Sequence, residues 1–389
     1  MSQQPIDRSP DLQRLRNEGY NIAIIGGYLV MRDVPYVTAA RDVAHGSLVS
    51  TLTMSDDVTK PPDNHVAYFA GAYPCRADGT PITTITHGSN RQELAPGIVV
   101  DHSFSNKPAN GYPDYYEKMT TYERIIANQA RAIDPHVTAK TFAPVPAGEE
   151  SVFWYVDTAS SRAGLAAINT KIALERLVIL GLGGTGAYVL DLVVKTPVKR
   201  IDLYDGDRFL QHNAFRAPGA PGIETLRSAP FKVDYFSEVY GQMRRGIIPH
   251  AYYVDETNID ELRTATFVFL CIDRGTPKRI IIERLREWRI PFIDVGMGIY
   301  MNDGMLGGVL RATTGTPARH EHIAQHVSFA DNQDGEYATN IQVADLNALN
   351  ATMAVLRWKK LYGFYRDLSN EHHTTYTIDV NMLLSEAQE

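Results

Sequence analysis

The chain has few cysteines, no long apolar run and no excess of positive charge. Its 389 residues include two cysteines, Cys75 and Cys271, too few for a disulfide framework or a four-cysteine zinc site. No apolar run reaches the ~20 residues that span a bilayer, and the polar first residues lack the apolar segment of a signal peptide. The formal net charge of −7 argues against nucleic-acid binding as the main role of the protein. We expect a cytoplasmic protein that binds neither membrane nor nucleic acid.

Proline and glycine mark a division of the chain near residue 150. Residues 144–148 read Pro-Val-Pro-Ala-Gly, which is the composition of a linker. Before it, short alternating segments indicate a β-meander, and apolar and aromatic residues at helical spacing predict a helix over 113–132. We therefore predict a smaller α+β domain over residues 1–150 and a second domain over 151–389.

Strands and helices alternate in the second half of the chain. The predicted strands are 177–180, 200–204, 250–254, 266–271 and 291–295. Strand–helix alternation is typical of a parallel sheet with helices on both faces. The predicted fold class is therefore α/β, a Rossmann-like doubly wound sheet, followed by a long helix over 338–364.

A glycine-rich turn, Gly-Leu-Gly-Gly-Thr-Gly at 181–186, lies between the first of these strands and a predicted helix. Glycine lets the backbone approach a phosphate, and a helix N-terminus offers free N–H groups and the positive end of its dipole. Two acids directly follow the next strand, about twenty residues further on, where a carboxylate can hydrogen-bond a ribose hydroxyl. The predicted nucleotide-binding residues are Gly181, Gly183, Gly184, Asp205 and Asp207.

The loop after the second strand is long and polar where a plain connector would be short. It carries Asn213 and Arg216, Lys232 follows at a predicted helix start, and Asp273 comes just after the fourth strand. The carboxyl ends of parallel strands meet at one edge of a sheet, so we expect these groups to lie beside the glycine turn. Such a set suits a nucleoside triphosphate with magnesium better than a nicotinamide dinucleotide, which needs no such cations.

This ordered set resembles the ubiquitin-activating enzyme and ThiF/MoeB adenylyltransferase family, over about residues 155–365. The pattern is G-x-G-G-x-G, D-x-D, N-x-x-R, a lysine after a proline, and an aspartate after an apolar strand. The resemblance implies ATP- and Mg²⁺-dependent adenylation of the C-terminal carboxylate of a ubiquitin-like protein, with release of pyrophosphate. The acyl group would then pass to a conjugating-enzyme-like partner.

The resemblance also implies a role for each residue. Asp205 would bind the ribose, and Asp273 would hold the magnesium. The phosphates would be held by Asn213, Arg216 and Lys232. Arg162 matches an arginine that reaches into the partner protomer's site, which implies a homodimer. The catalytic residues implied are Arg162, Arg216, Lys232 and Asp273.

One departure from the family leaves the final acceptor open. No cysteine follows Cys271, although many family members carry a downstream thioester cysteine. The reaction would then stop at the adenylate, or the acyl group would pass to an oxygen, nitrogen or sulfur nucleophile elsewhere. Residues 1–150 would recruit the substrate or a conjugating partner. Two alternatives are an adenylyltransferase for a sulfur carrier or a peptide, and a catalytically inactive nucleotide-binding scaffold.

Two further features invite a second interpretation. His322 and His326 lie four residues apart, about one helical turn, which is a spacing that metal ligands use. We favour a polar loop around a substrate's tail over a metal site. Cys75 precedes Arg76, whose charge would favour a reactive thiolate, but a lone cysteine is more often structural.

Overall fold

A computed structural model describes residues 4–329 and 341–386, and the chain divides into two compact units. Unit 1 comprises Met1–Ser151 and Tyr155–Leu165, and unit 2 comprises Val152–Trp154 and Ala166–Glu389. Each unit has hydrophobic clusters of its own.

Unit 1 is an antiparallel sheet with helices. Its elements are α1 (Gln4–Arg8), α2 (Pro10–Asn17), β1 (Ile22–Ile25), β2 (Tyr28–Val37), β3 (Val43–Thr51), β4 (Met54–Ser55), β5 (Val58–Thr59), β6 (Val66–Ala70), a 3₁₀ turn (Thr83–Ile85), β7 (Thr86–Ala95), β8 (Ile98–Ser105), α3 (Tyr115–Arg131) and α4 (Thr158–Arg162). Six strands form one sheet in the order β1-β2-β3-β6-β8-β7, and every neighbouring pair is antiparallel.

Helix α3 confirms the helix predicted over 113–132. It begins after Asp114, whose side chain accepts a hydrogen bond from the backbone N–H of Glu117 at 2.8 Å, as an N-cap does. The side chains of Met119, Tyr122 and Ile126 are fully buried on one side of the helix, because residues three and four apart share a face. They belong to the main hydrophobic cluster of unit 1.

Unit 2 is built on a mostly parallel sheet. Its elements are α5 (Ala166–Asn169), a 3₁₀ turn (Thr170–Ile172), β9 (Arg176–Leu180), α6 (Gly184–Val193), β10 (Arg200–Tyr204), α7 (Gln211–Ala214), α8 (Ile223–Ser228), α9 (Lys232–Gly241), β11 (Ile247–His250), a 3₁₀ segment (Ile259–Thr264), β12 (Phe267–Leu270), α10 (Gly275–Glu287), β13 (Phe292–Asn302), β14 (Met305–Gly315), α11 (Ile323–His326), α12 (Ala344–Leu361), β15 (His373–Thr377) and β16 (Met382–Glu386).

The sheet of unit 2 has the order β11-β10-β9-β12-β13-β14-β15-β16. The first five strands in this order are parallel, and β14, β15 and β16 add antiparallel to one side. The two faces of β9 enter different hydrophobic clusters, because Leu177 and Ile179 join one cluster while Val178 and Leu180 join another. Burying an aliphatic side chain of this size contributes about 1.5–3 kcal/mol. The predicted α/β, Rossmann-like class is confirmed.

Two boundaries differ from the prediction. The strand predicted over 250–254 is wrong, since β11 runs from Ile247 to His250 and contains Pro249. Proline donates no backbone hydrogen bond and is tolerated at a sheet edge, and β11 is the edge strand beside β10. The long helix predicted over 338–364 is observed as α12, and residues 338–340 lie outside the described residues.

Candidate active site

The glycine turn connects β9 to α6. Gly181 has a φ of +86°, and a Cβ there would lie 2.6 Å from the carbonyl oxygen of Cys271, so glycine is required. Gly183 is the N-cap of α6, and a Cβ added to it would meet no atom within 4 Å. Gly184 follows as the first helical residue. The space in front of the helix N-terminus is therefore open, which is where such a turn binds phosphate.

Asp205 joins this turn to the loop that follows β10. Its Oδ2 accepts a hydrogen bond from the backbone N–H of Leu182 at 2.7 Å, and its Oδ1 accepts one from the N–H of Asp207 at 2.8 Å. The side chain is 5% exposed. The carboxylate therefore fixes both loops at the edge of the sheet.

Lys232 bridges the two acids that the sequence places after β10. Its Nζ lies 2.7 Å from Oδ2 of Asp207 and 3.5 Å from Oδ2 of Asp205. Tyr253 also donates a hydrogen bond to Asp207. Burial raises the pKa of Asp207, but the hydrogen bonds from Lys232 and Tyr253 outweigh burial and hold its pKa below the usual range. Asp207 is thus a carboxylate at neutral pH.

Asn213 and Arg216 lie in the same loop but differ in position. Oδ1 of Asn213 accepts a hydrogen bond from the backbone N–H of Leu210 at 2.8 Å. Asn213 is buried and does not line the cavity, whereas Arg216 does. Asn347 of α12 links the Arg216 loop to the glycine turn. Its Nδ2 donates to the carbonyl of Arg216 at 3.3 Å, and its Oδ1 accepts from Oγ1 of Thr185 at 3.0 Å.

Asp273 lies just past the end of β12 and is exposed to the cavity. It makes no hydrogen bond or ion pair with any residue in 4–329 or 341–386. Arg274 follows as the N-cap of α10, and its guanidinium stacks 4.9 Å above the ring of Tyr253. The side chain of Arg162, predicted to act in the partner's site, lies outside the described residues.

These residues surround one cavity of about 700 Å³ in unit 2, within the range of small-molecule sites. Of the residues predicted from the sequence, those that line it are Gly181, Gly183, Gly184, Asp205, Asp207, Arg216, Lys232 and Asp273. Cys271 also lines it, and burial raises the pKa of its thiol. The thiol is therefore protonated at neutral pH, which does not suit a nucleophile.

The cavity is also lined by residues that sequence reasoning does not identify. The buried carboxylate of Asp294 forms two ion pairs. Its Oδ1 lies 3.0 Å from Nζ of Lys278, and its Oδ2 lies 2.7 Å from Nη2 of Arg311. Asn350 of α12 is 1% exposed, and its Oδ1 has no hydrogen-bond partner among the described residues. Lys278, Arg311 and Asn350 all line the cavity. Lys278 is the residue that sequence reasoning could most easily have found, because it lies five residues after Asp273 in the helix that follows β12.

The arrangement suits a polyanion that lies against the N-terminus of α6. The cavity is lined by five cationic side chains and by three carboxylates, Asp205, Asp207 and Asp273. The cations are Arg216, Lys232, Arg274, Lys278 and Arg311. Fixed cations of this kind stabilise charge that develops on phosphate oxygens. Sheet order, glycine turn and cavity together define a Rossmann-like fold with a cationic cavity at the carboxyl ends of its parallel strands.

Comparison with known proteins found one matching family model and several similar solved structures. Residues 10–158 match the family model of DUF6791, a domain of unknown function. No curated protein matches the chain. Among solved structures, the chain is similar to PaaA, with 13% identity, a TM-score of 0.48, and coverage of 86% of this chain and 97% of that one.

The chain is also similar to MccB of E. coli. For the crystal structure with succinimide, the identity is 16% and the TM-score 0.43, over 57% of this chain and 66% of that one, just under two thirds. For MccB with ATP the identity is 17% and the TM-score 0.42, over 59% and 71% of the two chains. These values describe a likeness in fold alone.

Two other observations bear on the sequence analysis. Cys75 is buried in unit 1, and burial raises the pKa of its thiol, so the thiolate that Arg76 was expected to favour is not supported. Within residues 4–329 and 341–386, no helix has both the length and the apolar character needed to cross a membrane.

Proposed function

We propose that this chain is an ATP-dependent adenylyltransferase that activates the C-terminal carboxylate of a peptide or protein. The observation that supports this proposal is the cavity beside the glycine turn. Arg216, Lys232 and Asp273 line it together, and they are the residues that the family resemblance ties to triphosphate and metal.

In the proposed reaction a carboxylate oxygen of the substrate attacks the α-phosphorus of ATP. The bond from that phosphorus to the bridging oxygen breaks, and the products are an acyl-adenylate and pyrophosphate. Lys232 and Arg216 stabilise the charge that grows on the departing pyrophosphate. Asp207, kept ionised by Lys232, holds that lysine in place.

Magnesium fits the site through Asp273. This carboxylate faces the cavity and has no partner in the described part of the chain, and Mg²⁺ prefers oxygen ligands from one or two carboxylates and the substrate phosphates. When bound, the ion would offset charge on the phosphate oxygens. Both oxygens of Asp205 accept hydrogen bonds from backbone N–H groups, so its main role is to hold the two loops together. Asn213 would support the loop that carries Arg216, through its hydrogen bond with Leu210.

The acceptor of the adenylyl group is, in this proposal, the tail of a peptide or protein. A tail needs only its terminal carboxylate in the cavity, whereas a ubiquitin-like protein also needs a surface that docks its folded body. We therefore favour a peptide as the acceptor over a ubiquitin-like protein. Lys278 and Arg311, which also line the cavity, would orient the incoming acid. Unit 1 would recruit the substrate or a conjugating partner.

ATP–pyrophosphate exchange tests this proposal, because exchange requires reversible formation of an acyl-adenylate. The chain is incubated with ATP, labelled pyrophosphate and candidate acceptors, which are synthetic peptides, sulfur carriers and ubiquitin-like proteins. We expect exchange with one acceptor class and its loss in Asp273→Ala. The control is Asp260→Ala, an exposed carboxylate outside the cavity. Near-normal exchange in folded Asp273→Ala contradicts the role of Asp273, and no exchange with any acceptor favours an inactive scaffold.

The homodimer and Arg162 are tested by mixing two inactive variants. If Arg162 reaches into the partner's site, then Arg162→Ala and Asp273→Ala are each inactive alone. A mixed dimer has one site with both residues intact, so exchange should return on mixing. Activity of Arg162→Ala alone, or no recovery in a mixture shown to contain mixed dimers, contradicts this part of the proposal.

A further inference from the structure

Three distant segments of unit 2 bring two histidines and a glutamate together. His326 ends α11, His373 begins β15, and Glu386 ends β16. One candidate ligand atom from each, two imidazole nitrogens and a carboxylate oxygen, lies within 4.8 Å of the others. Nε2 of His326 lies 3.0 Å from Oε2 of Glu386, and the rings of His326 and His373 are 3.7 Å apart between centroids. None of the three residues lines the cavity described above.

We propose that His326, His373 and Glu386 form a site for a divalent transition metal of the zinc class. Two imidazoles and one carboxylate are a ligand set that zinc takes in proteins, with a fourth position for water or another side chain. Two of the three ligands are nitrogens and only one is a carboxylate, so the set is unsuited to calcium or magnesium, which need mainly oxygen ligands.

The backbone fixes two of the three ligands. His373 and Glu386 are directly opposite in the antiparallel pair of β15 and β16, so their side chains leave the sheet on the same side. The pairing alone therefore places an imidazole beside a carboxylate. Sequence spacing could not reveal this, because the two residues are thirteen positions apart and meet through a hairpin.

A second contact orients the imidazole of His373. Its Nδ1 lies 3.0 Å from Oγ1 of Thr313, which itself accepts a hydrogen bond from Nη1 of Arg311 at 2.8 Å. Metal-binding histidines generally use their other nitrogen in such a hydrogen bond, which fixes the ring and leaves one nitrogen to the metal. Here that nitrogen is Nε2. Arg311 also lines the cavity, so one short chain of hydrogen bonds joins the two places.

His322 supplies an independent observation beside the cluster. Its Nε2 lies 2.9 Å from the carbonyl oxygen of Thr314, and because a carbonyl only accepts, Nε2 carries the proton. Nδ1 is then unprotonated, and it is buried without a hydrogen-bond partner among the described residues. The rings of His322 and His326 are 6.2 Å apart. An unused nitrogen lone pair one helical turn before His326 makes His322 the candidate for the fourth position.

Binding requires one movement. The rings of His326 and His373 are nearly parallel, 19° apart, and a nitrogen lone pair lies in the plane of its ring. His326 must therefore turn about its side-chain torsions to direct a nitrogen to the ion. The bound ion would hold α11 and the C-terminal hairpin β15–β16 together, which is a structural role.

Zinc binding to the full chain, measured without ATP or acceptor, tests this site separately from the proposed reaction. We expect one Zn²⁺ per chain in titrations against a competing chelator, and loss of that equivalent in His373→Asn and in His326→Asn. The matched control is His320→Asn, which changes the neighbouring histidine outside the cluster and should keep one equivalent. Thr313→Val should weaken binding about 10–100-fold without abolishing it, as expected for an orienting residue.

X-ray absorption of the zinc-loaded wild-type chain removes dependence on the variants. We expect nitrogen and oxygen ligands at about 2.0–2.1 Å, including two imidazoles. Absence of binding at one equivalent, thiolate ligation, or one equivalent retained in both folded His326→Asn and His373→Asn would overturn the proposal.

Discussion

The Asp205 carboxylate accepts a hydrogen bond from the backbone N–H of Leu182 at 2.7 Å, and this contact ties the glycine turn to the end of β10. Its second oxygen holds the N–H of Asp207, and the Nζ of Lys232 lies 3.5 Å from the same carboxylate. Asp205 therefore positions both the glycine turn and Asp207, the acid that pairs with Lys232.

Replacing Asp205 with asparagine should destabilise unit 2. An amide has one acceptor oxygen, so it leaves one of the two backbone N–H groups without a partner, which costs about 1–3 kcal/mol. Urea unfolding of Asp205→Asn should show this loss, while Asp260→Asn, an exposed control, stays within about 0.5 kcal/mol of the wild type. Equal unfolding free energies for Asp205→Asn and the wild type would show that the carboxylate does not hold the turn.

Gly183→Ala should weaken ATP binding without unfolding the chain. The new methyl group meets no protein atom within 4 Å and occupies space in front of α6 that the phosphates need. We expect at least a tenfold loss of affinity, about 1.4 kcal/mol, in isothermal titration with ATP and Mg²⁺. Gly222→Ala is a matched control, because Gly222 is also an N-cap with open space around it but lies outside the cavity. Equal losses in the two variants would contradict phosphate binding at Gly183.

Thr185 and Asn347 should be energetically coupled. Their side chains share a hydrogen bond of 3.0 Å between α6 and α12, and Asn347 also holds the carbonyl of Arg216. A double-mutant cycle with Thr185→Val and Asn347→Ala should give a coupling of about 0.5–1.5 kcal/mol in unfolding free energy. Additive effects of the two substitutions would mean that this bond contributes nothing to the placement of Arg216.

Because of Asp202, the free energy of unfolding of unit 2 should depend on pH in the acidic range. Burial raises the pKa of this carboxyl, but hydrogen bonds from Arg200, Arg176 and His250 outweigh it and lower its pKa to about 2. Because the folded pKa lies below the usual 3.9, the stabilisation is complete above about pH 4–5 and is lost as pH falls through about 2.

The advantage of the wild type over Asp202→Asn measures this effect. The difference in unfolding free energy between them should be constant near pH 5 and shrink as the pH is lowered towards 2.5. A difference that keeps its full size to pH 2.5 would contradict an ionised, stabilising Asp202.

The sequence predicts those cavity residues that directly follow parallel strands, because such strands end at one edge of the sheet. Gly183, Asp205 and Asp273 each follow a strand of the same sheet, so strand order alone brings them together. The prediction of a strand over 250–254 was wrong for a local reason. Tyrosine and valine in that run favour strands, whereas the true edge strand contains Pro249.

Neither the cavity residues of β14 and α12 nor the histidine cluster could be predicted from the sequence. Arg311 lies on an antiparallel strand and Asn350 on a helix far along the chain, and no local spacing connects either to the glycine turn. His326 was visible as half of a spaced pair, but His373 and Glu386 reach it only through the pairing of β15 with β16. Sequence patterns report contacts along one element, and these contacts join separate elements.

Binding of a triphosphate in the cavity is tested most directly by a crystal structure of the chain with a non-hydrolysable ATP analogue and Mg²⁺. We predict phosphates in front of Gly183, beside Arg216 and Lys232, with the metal on Asp273. A triphosphate bound away from the glycine turn, or NAD in the cavity when both nucleotides are offered, would contradict adenylation at this site.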